Sequence, residues 1–177
     1  LSPRLWNSLW RGTQQIMSRL ATSNRVVFVE PQRDPDISYL SNIRQKWRYF
    51  FTLSVKSEMP TLAVVRTPPA LPYFRRHLPR AILRYLVPLV AWFNSWLMCW
   101  HLKRVTNRLR IHQPILWLNS PYELDLVGHI GEKLVCYYIY DELADFPANV
   151  RIRELLLEYD ERLCRRADVV FATSQSQ

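Results

Sequence analysis

The chain has 177 residues, of which 49% are hydrophobic and 13% aromatic, and its formal net charge at pH 7 is +9. This length and composition exclude a disordered chain and are sufficient for one domain with a sizeable core. The positive charge favours anionic partners, such as nucleic acid, anionic lipid or phosphorylated compounds.

The cysteines and histidines indicate neither disulfide bonds nor a metal site. The three cysteines, Cys99, Cys136 and Cys164, are odd in number and far apart, so we interpret them as reduced thiols in a reducing compartment. The four histidines show no paired ligand spacing, so we expect no metal site. No N-terminal signal peptide is visible in the given sequence, which does not begin with Met.

The first turn of the chain has the wrong residues for a nucleotide-binding loop. Gly12 stands alone in "WRGTQQ", whereas a dinucleotide fold needs a glycine-rich turn, and no G-K-[ST] occurs for a P-loop. A helical pattern covers Thr13 to Ala21. Trp6 and Arg11 lie just before it, and an arginine beside a helix amino terminus suits a phosphate or carboxylate.

Five continuous apolar runs along the chain predict buried strands. None alternates apolar with polar residues, which is typical of a parallel sheet covered on both faces. A clear helical pattern over Pro147 to Arg166 separates the last two runs. Repetition of strand and helix predicts an α/β fold with a doubly wound, Rossmann-like parallel sheet. The runs are 25–31, 61–69, 114–121, 133–141 and 167–174.

A basic, tryptophan-rich stretch covers 73–110. Its uncharged centre, 85–100, would form a helix about 24 Å long, shorter than a bilayer core of about 30 Å, and Pro88 and Asn94 are expected to interrupt it. Two interpretations remain. The tryptophans are core residues of a helix on the sheet, or the helix lies in a membrane surface. In the second, the contacts are Arg76, Arg80, Arg84, Trp92 and Trp96.

Nucleic acid is the other anionic partner that the positive charge of this chain could bind. The sequence contains no zinc spacing, no aromatic RNA-binding motif and no obvious recognition helix. The basic residues flank apolar runs instead of forming a separate polar stripe. We therefore expect no nucleic-acid partner.

Polar residues follow the predicted strands at their carboxyl ends, where ligands bind in α/β sheets. Asp141 and Asp145 follow the strand at 133–141, in "YDELADF". Asn119 and Ser120 follow the strand at 114–121, and Ser174 follows the last strand. We expect these side chains to share one rim with Arg11, although acids there can also cap the next helix.

The chain resembles the N-terminal domain of GT-B-fold glycosyltransferases, the bacterial kind that build cell-envelope and capsular polysaccharides. The resemblance rests on four segments in this order and covers nearly the whole chain. Its most specific part is "YDELADF" followed one helix later by "ADVVFATS". The segments are "WNSLWRGTQQIMSRLATSNRVVFVEP", "PILWLNSP", "YDELADF" and "ERLCRRADVVFATSQS".

The resemblance implies an enzyme half that binds the acceptor. Residues 1–177 would be one Rossmann-like acceptor-binding domain, with its first strand cut short and the C-terminal nucleotide-sugar domain absent. Asp141 and Asp145 would be the catalytic carboxylates. The substrate-binding residues would be Trp6, Arg11, Asn119, Ser120 and Ser174.

The implied reaction transfers a sugar from a nucleotide-sugar donor, a co-substrate, to a glycan or lipid-linked acceptor. It needs no bound cofactor or metal. The fragment alone should be inactive, because the donor half supplies the phosphate-binding groups. The expected location is the cytoplasmic, inner face of the plasma membrane. The alternative is a basic module that binds nucleic acid or a membrane surface without catalysis.

Overall fold

The computed structural model describes residues 5–7, 12–32, 38–71, 80–139 and 150–172, with the backbone alone at 80–85, 87–88 and 150–156. The chain divides into two compact units, Ser2–Leu109 and Arg110–Gln177. We describe each unit by itself.

The described residues of the first unit form three α-helices and three strands. In chain order its elements are α1 (Gly12–Leu20), β1 (Val26–Val29), α2 (Tyr39–Lys46), a 3₁₀ helix (Trp47–Phe50), β2 (Ser54–Met59), β3 (Leu62–Arg66) and α3 (Arg80–Leu109).

The sheet of the first unit is mixed, in the order β1-β3-β2. β1 runs parallel to β3, and β2 runs antiparallel to it through a tight hairpin. β2 escaped the sequence analysis because "SVKSEM" is polar and half exposed, unlike the apolar runs. Such a strand suits the edge of a sheet, where only one side must be paired.

The described strands of the second unit form a parallel sheet. Its strands are β4 (Ile115–Leu118), β5 (Leu134–Ile139) and β6 (Val169–Ala172), in that order across the sheet. A 3₁₀ helix (Pro121–Leu126) follows β4, and α4 (Val150–Arg166) connects β5 to β6. This connection is the βαβ unit that the spacing of the apolar runs predicts.

The α/β class and the positions of all five predicted strands are confirmed, but β6 is half-exposed and not buried as predicted. The expectation of one parallel sheet is wrong for the described residues, which hydrogen-bond into two three-stranded sheets. In particular, 26–29 and 134–139 lie in different sheets. The physical reason is the hairpin: β2 occupies one edge of β3 in antiparallel pairing, so the first sheet cannot be wholly parallel. The arrangement is compatible with a Rossmann-like α/β fold.

The second unit closes around the buried face of β4 and β5. Leu118, Tyr137 and Leu163 are at most 1% exposed. The Tyr137 hydroxyl donates to the carboxylate of Asp160 on α4, and burial together with this carboxylate raises the pKa of Tyr137. Asp168 joins β6 to β5, because its Oδ2 accepts from the Val135 N–H at 2.7 Å and its own N–H donates to Val135 O.

The helix α3 is continuous over 30 residues, a length of about 45 Å. The expected interruption at Pro88 and Asn94 does not occur. Asn94 is buried, and its side chain pairs with a neighbouring segment: Oδ1 accepts from Leu71 N at 2.7 Å, and Nδ2 donates to Leu71 O at 2.9 Å. The Asn94 side-chain amide thus pairs with Leu71 as a backbone peptide group would. Both its buried donor and its buried acceptor are satisfied.

Candidate functional site

Two charged side chains meet at the carboxyl ends of the parallel strands in the first unit. Glu30 directly follows β1, and Arg66 ends β3. Glu30 is 6% exposed, and its Oε1 accepts from the Trp6 N–H at 3.2 Å. Its Oε2 lies 3.7 Å from Arg66 Nε. A buried carboxylate is thereby held by one backbone donor and one guanidinium.

A second arginine joins this pair through a buried tyrosine. The Tyr49 hydroxyl accepts from Arg66 Nη1 at 3.0 Å and from Arg48 Nη2 at 2.9 Å. Burial alone would raise the pKa of Tyr49, but the hydrogen bonds from Arg66 and Arg48 outweigh burial and lower it below its usual value. The hydrogen bond to Tyr49 in turn raises the pKa of Arg66. Two cations therefore converge on one phenol oxygen.

The backbone beneath these side chains is fixed by buried groups. Thr67 Oγ1 donates to Glu30 O at 3.1 Å. His101 Nε2, from α3, lies 3.0 Å from Arg66 O. Burial lowers the pKa of His101 to about 4, so at neutral pH the ring is uncharged and Nε2–H donates to the carbonyl. Both strand ends are thus held in place by side-chain hydrogen bonds.

A polar turn follows β4 in the second unit. Asn119 is 6% exposed, and its backbone N–H donates to Glu123 Oε2 at 3.2 Å. Ser120 precedes the 3₁₀ helix Pro121–Leu126, and its carbonyl accepts from Glu123 N at 3.1 Å. Burial raises the pKa of Glu123. The predicted binding residues Asn119 and Ser120 therefore lie in one turn that is organised by a carboxyl group.

The other predicted site residues separate into two groups. Trp6 is 4% exposed and its indole packs edge-on against Phe28, with ring centroids 4.8 Å apart, so its side chain belongs to the core of the first unit. The rest lie outside the described residues, and their common rim stays a prediction. They are Arg11, Asp141, Asp145 and Ser174.

Three residues of the first unit's cluster were not predicted from the sequence. Arg66 was open to inference, because it is the one charged residue in the apolar run 61–69 and comes shortly before the prolines that close it. Arg48 and Tyr49 come from a 3₁₀ helix within "QKWRYFF" and carry no comparable signal. Only the packing of that helix brings them to the end of β3.

The tryptophans of α3 face outward. Trp92 is 60% exposed, Trp96 51% and Trp100 38%. Leu89 and Lys103 continue the same stripe at spacings of three residues, and both are exposed. The opposite side of α3 is buried. The expectation that these tryptophans form a core is therefore wrong for the first unit as described.

The exposed aromatic surface continues beyond α3. The Arg104 guanidinium lies over the Trp100 ring, 4.4 Å from its centroid, and Arg104 Nη1 donates to Phe50 O at 3.3 Å. The neighbouring Phe51 is 71% exposed and packs edge-on with Trp47, itself 57% exposed. We call this surface the tryptophan face, defined by Trp47, Phe51, Trp92, Trp96 and Trp100.

Charge is divided unequally between the two units. Residues 2–109 contain 17 basic and 4 acidic residues, and residues 110–177 contain 7 basic and 11 acidic residues. The tryptophan face therefore belongs to a segment of net charge +13, whereas the other segment carries −4. The side chains of the predicted contacts Arg76, Arg80 and Arg84 lie outside the described residues.

Within the part of the chain that the structure describes, no group of three or more His, Cys, Asp or Glu could hold a metal ion. No helix in that same part is long and apolar enough to cross a membrane.

Comparison with known proteins gave no match. Neither protein-family models, nor curated proteins, nor solved structures matched the chain.

Proposed function

We propose that the chain is the acceptor-binding half of a GT-B glycosyltransferase that works at an anionic membrane surface. It would transfer a sugar from a nucleotide sugar to a glycan or lipid-linked acceptor in cell-envelope polysaccharide synthesis. The observation that carries the proposal is the placement of polar side chains at the carboxyl ends of parallel strands: Glu30 and Arg66 in the first unit and Asn119 in the second. The resemblance of "YDELADF" and "ADVVFATS" supports the reaction class.

In this reaction the acceptor half positions a hydroxyl for attack on the anomeric carbon. A carboxylate there takes the hydroxyl proton if the reaction inverts configuration, and it orients the acceptor if configuration is retained. We assign this role to Asp141, with Asp145 beside it in sequence. Asn119 and Ser120 would contribute hydrogen bonds to sugar hydroxyls.

Sugar transfer in the complete protein tests the reaction. Membranes that contain the acceptor are incubated with labelled nucleotide sugars, and label in lipid extracts or polymer is measured. Asp141→Asn should lower turnover about 100-fold or more, since it removes the carboxylate, and should leave the unfolding midpoint unchanged. Glu161→Gln, which removes an exposed carboxylate from α4, is the control. Unchanged turnover in Asp141→Asn would contradict the assigned role, and no transfer from any nucleotide sugar would contradict the function.

The membrane part of the proposal rests on the tryptophan face. Trp and Phe side chains prefer the headgroup region, and each nearby basic residue adds on the order of 1 kcal/mol of attraction to an anionic surface. The first segment carries its net charge of +13 together with exposed tryptophans, which favours an anionic bilayer over a neutral one. A lipid-linked acceptor would meet the protein at that surface.

Vesicle co-sedimentation tests this location directly. The chain should pellet with phosphatidylglycerol vesicles and not with phosphatidylcholine vesicles. Trp92→Ala combined with Trp96→Ala should weaken binding about tenfold or more, because two interfacial aromatic contacts are lost. Leu157→Ala, on the exposed side of α4, should bind normally. Equal pelleting with neutral and anionic vesicles would contradict the proposal.

The competing function is a nucleic-acid-binding module. Such a module should bind RNA or DNA with an affinity that falls steeply as salt rises. Tight, salt-sensitive RNA binding that survives Trp92→Ala and Trp96→Ala, with no vesicle binding, would favour the module over the membrane enzyme.

A further inference from the structure

Two arginines of the first unit converge on one neutral hydroxyl at the ends of β1 and β3. We propose that Arg48 and Arg66, with the Tyr49 hydroxyl between them, form a binding site for a phosphate group. The proposed reaction cites Arg66 only for its place at a strand end and gives Arg48 and Tyr49 no role, and the inference holds whether or not the chain is a glycosyltransferase. We call the site the Arg48–Arg66 site.

The charge balance of the Arg48–Arg66 site favours an anion. Both guanidiniums lie within 3.0 Å of the Tyr49 oxygen. Glu30 offsets only Arg66, at 3.7 Å, and also accepts from a backbone N–H. Among the described residues, Arg48 has no carboxylate partner within 4.0 Å. Two like charges held close together with one counterion leave a net positive site.

The cationic groups are reachable, whereas the groups beneath them are buried. Arg48 is exposed, and the Arg66 side chain is 46% exposed. Tyr49 is 4% exposed, and the Glu30 side chain is 8% exposed. A ligand from solvent can therefore contact both guanidiniums while the base of the site stays fixed.

The site is held in place before any ligand arrives. Arg66 ends β3, and its carbonyl contacts His101 Nε2 at 3.0 Å. The Thr67 hydroxyl fixes the end of β1, because it donates a hydrogen bond to Glu30 O. The carboxyl ends of parallel strands are also where α/β sheets place ligands. Little ordering is needed on binding, which favours affinity.

A phosphate group suits this geometry better than chloride or a single carboxylate. Each guanidinium has five N–H donors in a planar fork, and only one from each arginine is used on Tyr49. The remaining donors can pair with two oxygens at once, as guanidinium forks do with phosphate. The Tyr49 hydroxyl, which accepts from both arginines, holds the two guanidiniums close together at the base of the site.

The test measures the unfolding temperature of the whole chain against inorganic phosphate, with chloride replaced so that ionic strength stays constant. We expect a saturable rise in the unfolding temperature. In Arg48→Gln and Arg66→Gln, the phosphate concentration for half-saturation should rise about tenfold, because each loses a charge-assisted contact. Arg108→Gln, which removes an exposed arginine at the end of α3, should behave as wild type.

Two further arms separate soluble phosphates from lipid headgroups. If Arg48→Gln weakens inorganic phosphate binding but not binding to phosphatidic acid vesicles, the site takes soluble phosphorylated ligands. If it weakens both, the site takes a phosphate headgroup; either result supports the proposal. No saturable effect of phosphate, or equal saturation in Arg48→Gln and Arg108→Gln, would overturn it. Arg48→Gln decides the matter if Arg66→Gln fails to fold, because the Arg48 side chain is exposed.

Discussion

At the scale of single residues, the buried histidine of α3 couples folding to pH. His101 is fully buried, and burial lowers its pKa to about 4 from 6.5. The unfolded chain therefore binds a proton more readily between pH 6.5 and 4, so stability falls as pH drops through this window. The full loss would be about 3 kcal/mol, since one pKa unit is about 1.4 kcal/mol.

Urea unfolding between pH 7 and pH 4 measures this loss. His101→Gln, whose amide N–H can still reach the Arg66 carbonyl, should lower stability at pH 7 and flatten the slope. His112→Gln, at an exposed position, should keep the slope of the wild type. Parallel slopes in His101→Gln and His112→Gln would show that His101 does not cause the dependence.

At the scale of secondary-structure elements, α3 depends on one buried amide. Asn94 satisfies both backbone groups of Leu71. Asn94→Ala should lower the free energy of unfolding by about 1–3 kcal/mol, because two hydrogen bonds are lost at a buried position. Asn107→Ala, at an exposed position of the same helix, should change it by about 0.5 kcal/mol or less. Equal destabilisation by the two variants in chemical denaturation would contradict this account.

At the scale of the whole molecule, the division of charge predicts which segment meets an anionic surface. Lys103→Gln, next to the tryptophan face in the segment of net charge +13, should weaken binding to phosphatidylglycerol vesicles about fivefold. Lys133→Gln removes the same charge from an exposed position in the other segment and should leave binding unchanged. Equal losses in both variants, measured by co-sedimentation, would mean that net charge alone drives binding.

The sequence by itself determined the α/β class and the positions of five strands. Each of those strands is a short apolar run that ends at turn residues, and such runs can be recognised from the sequence alone. It also located Asn119 and Ser120 at a strand end. Arg66 follows the same logic, because it comes shortly before the prolines that close an apolar run.

The tertiary structure decided the pairing of the strands, the outward direction of the tryptophans and the Arg48–Arg66 site. β2 was missed because an edge strand need not be apolar, and its antiparallel hairpin makes the first sheet mixed. The spacing of Trp92 and Trp96 predicts one stripe along α3 but not whether that stripe faces the core or the solvent. Only the packing of the helix decides this. Arg48 and Tyr49 reach Arg66 from 17 or 18 residues away in sequence, a contact that no local pattern encodes.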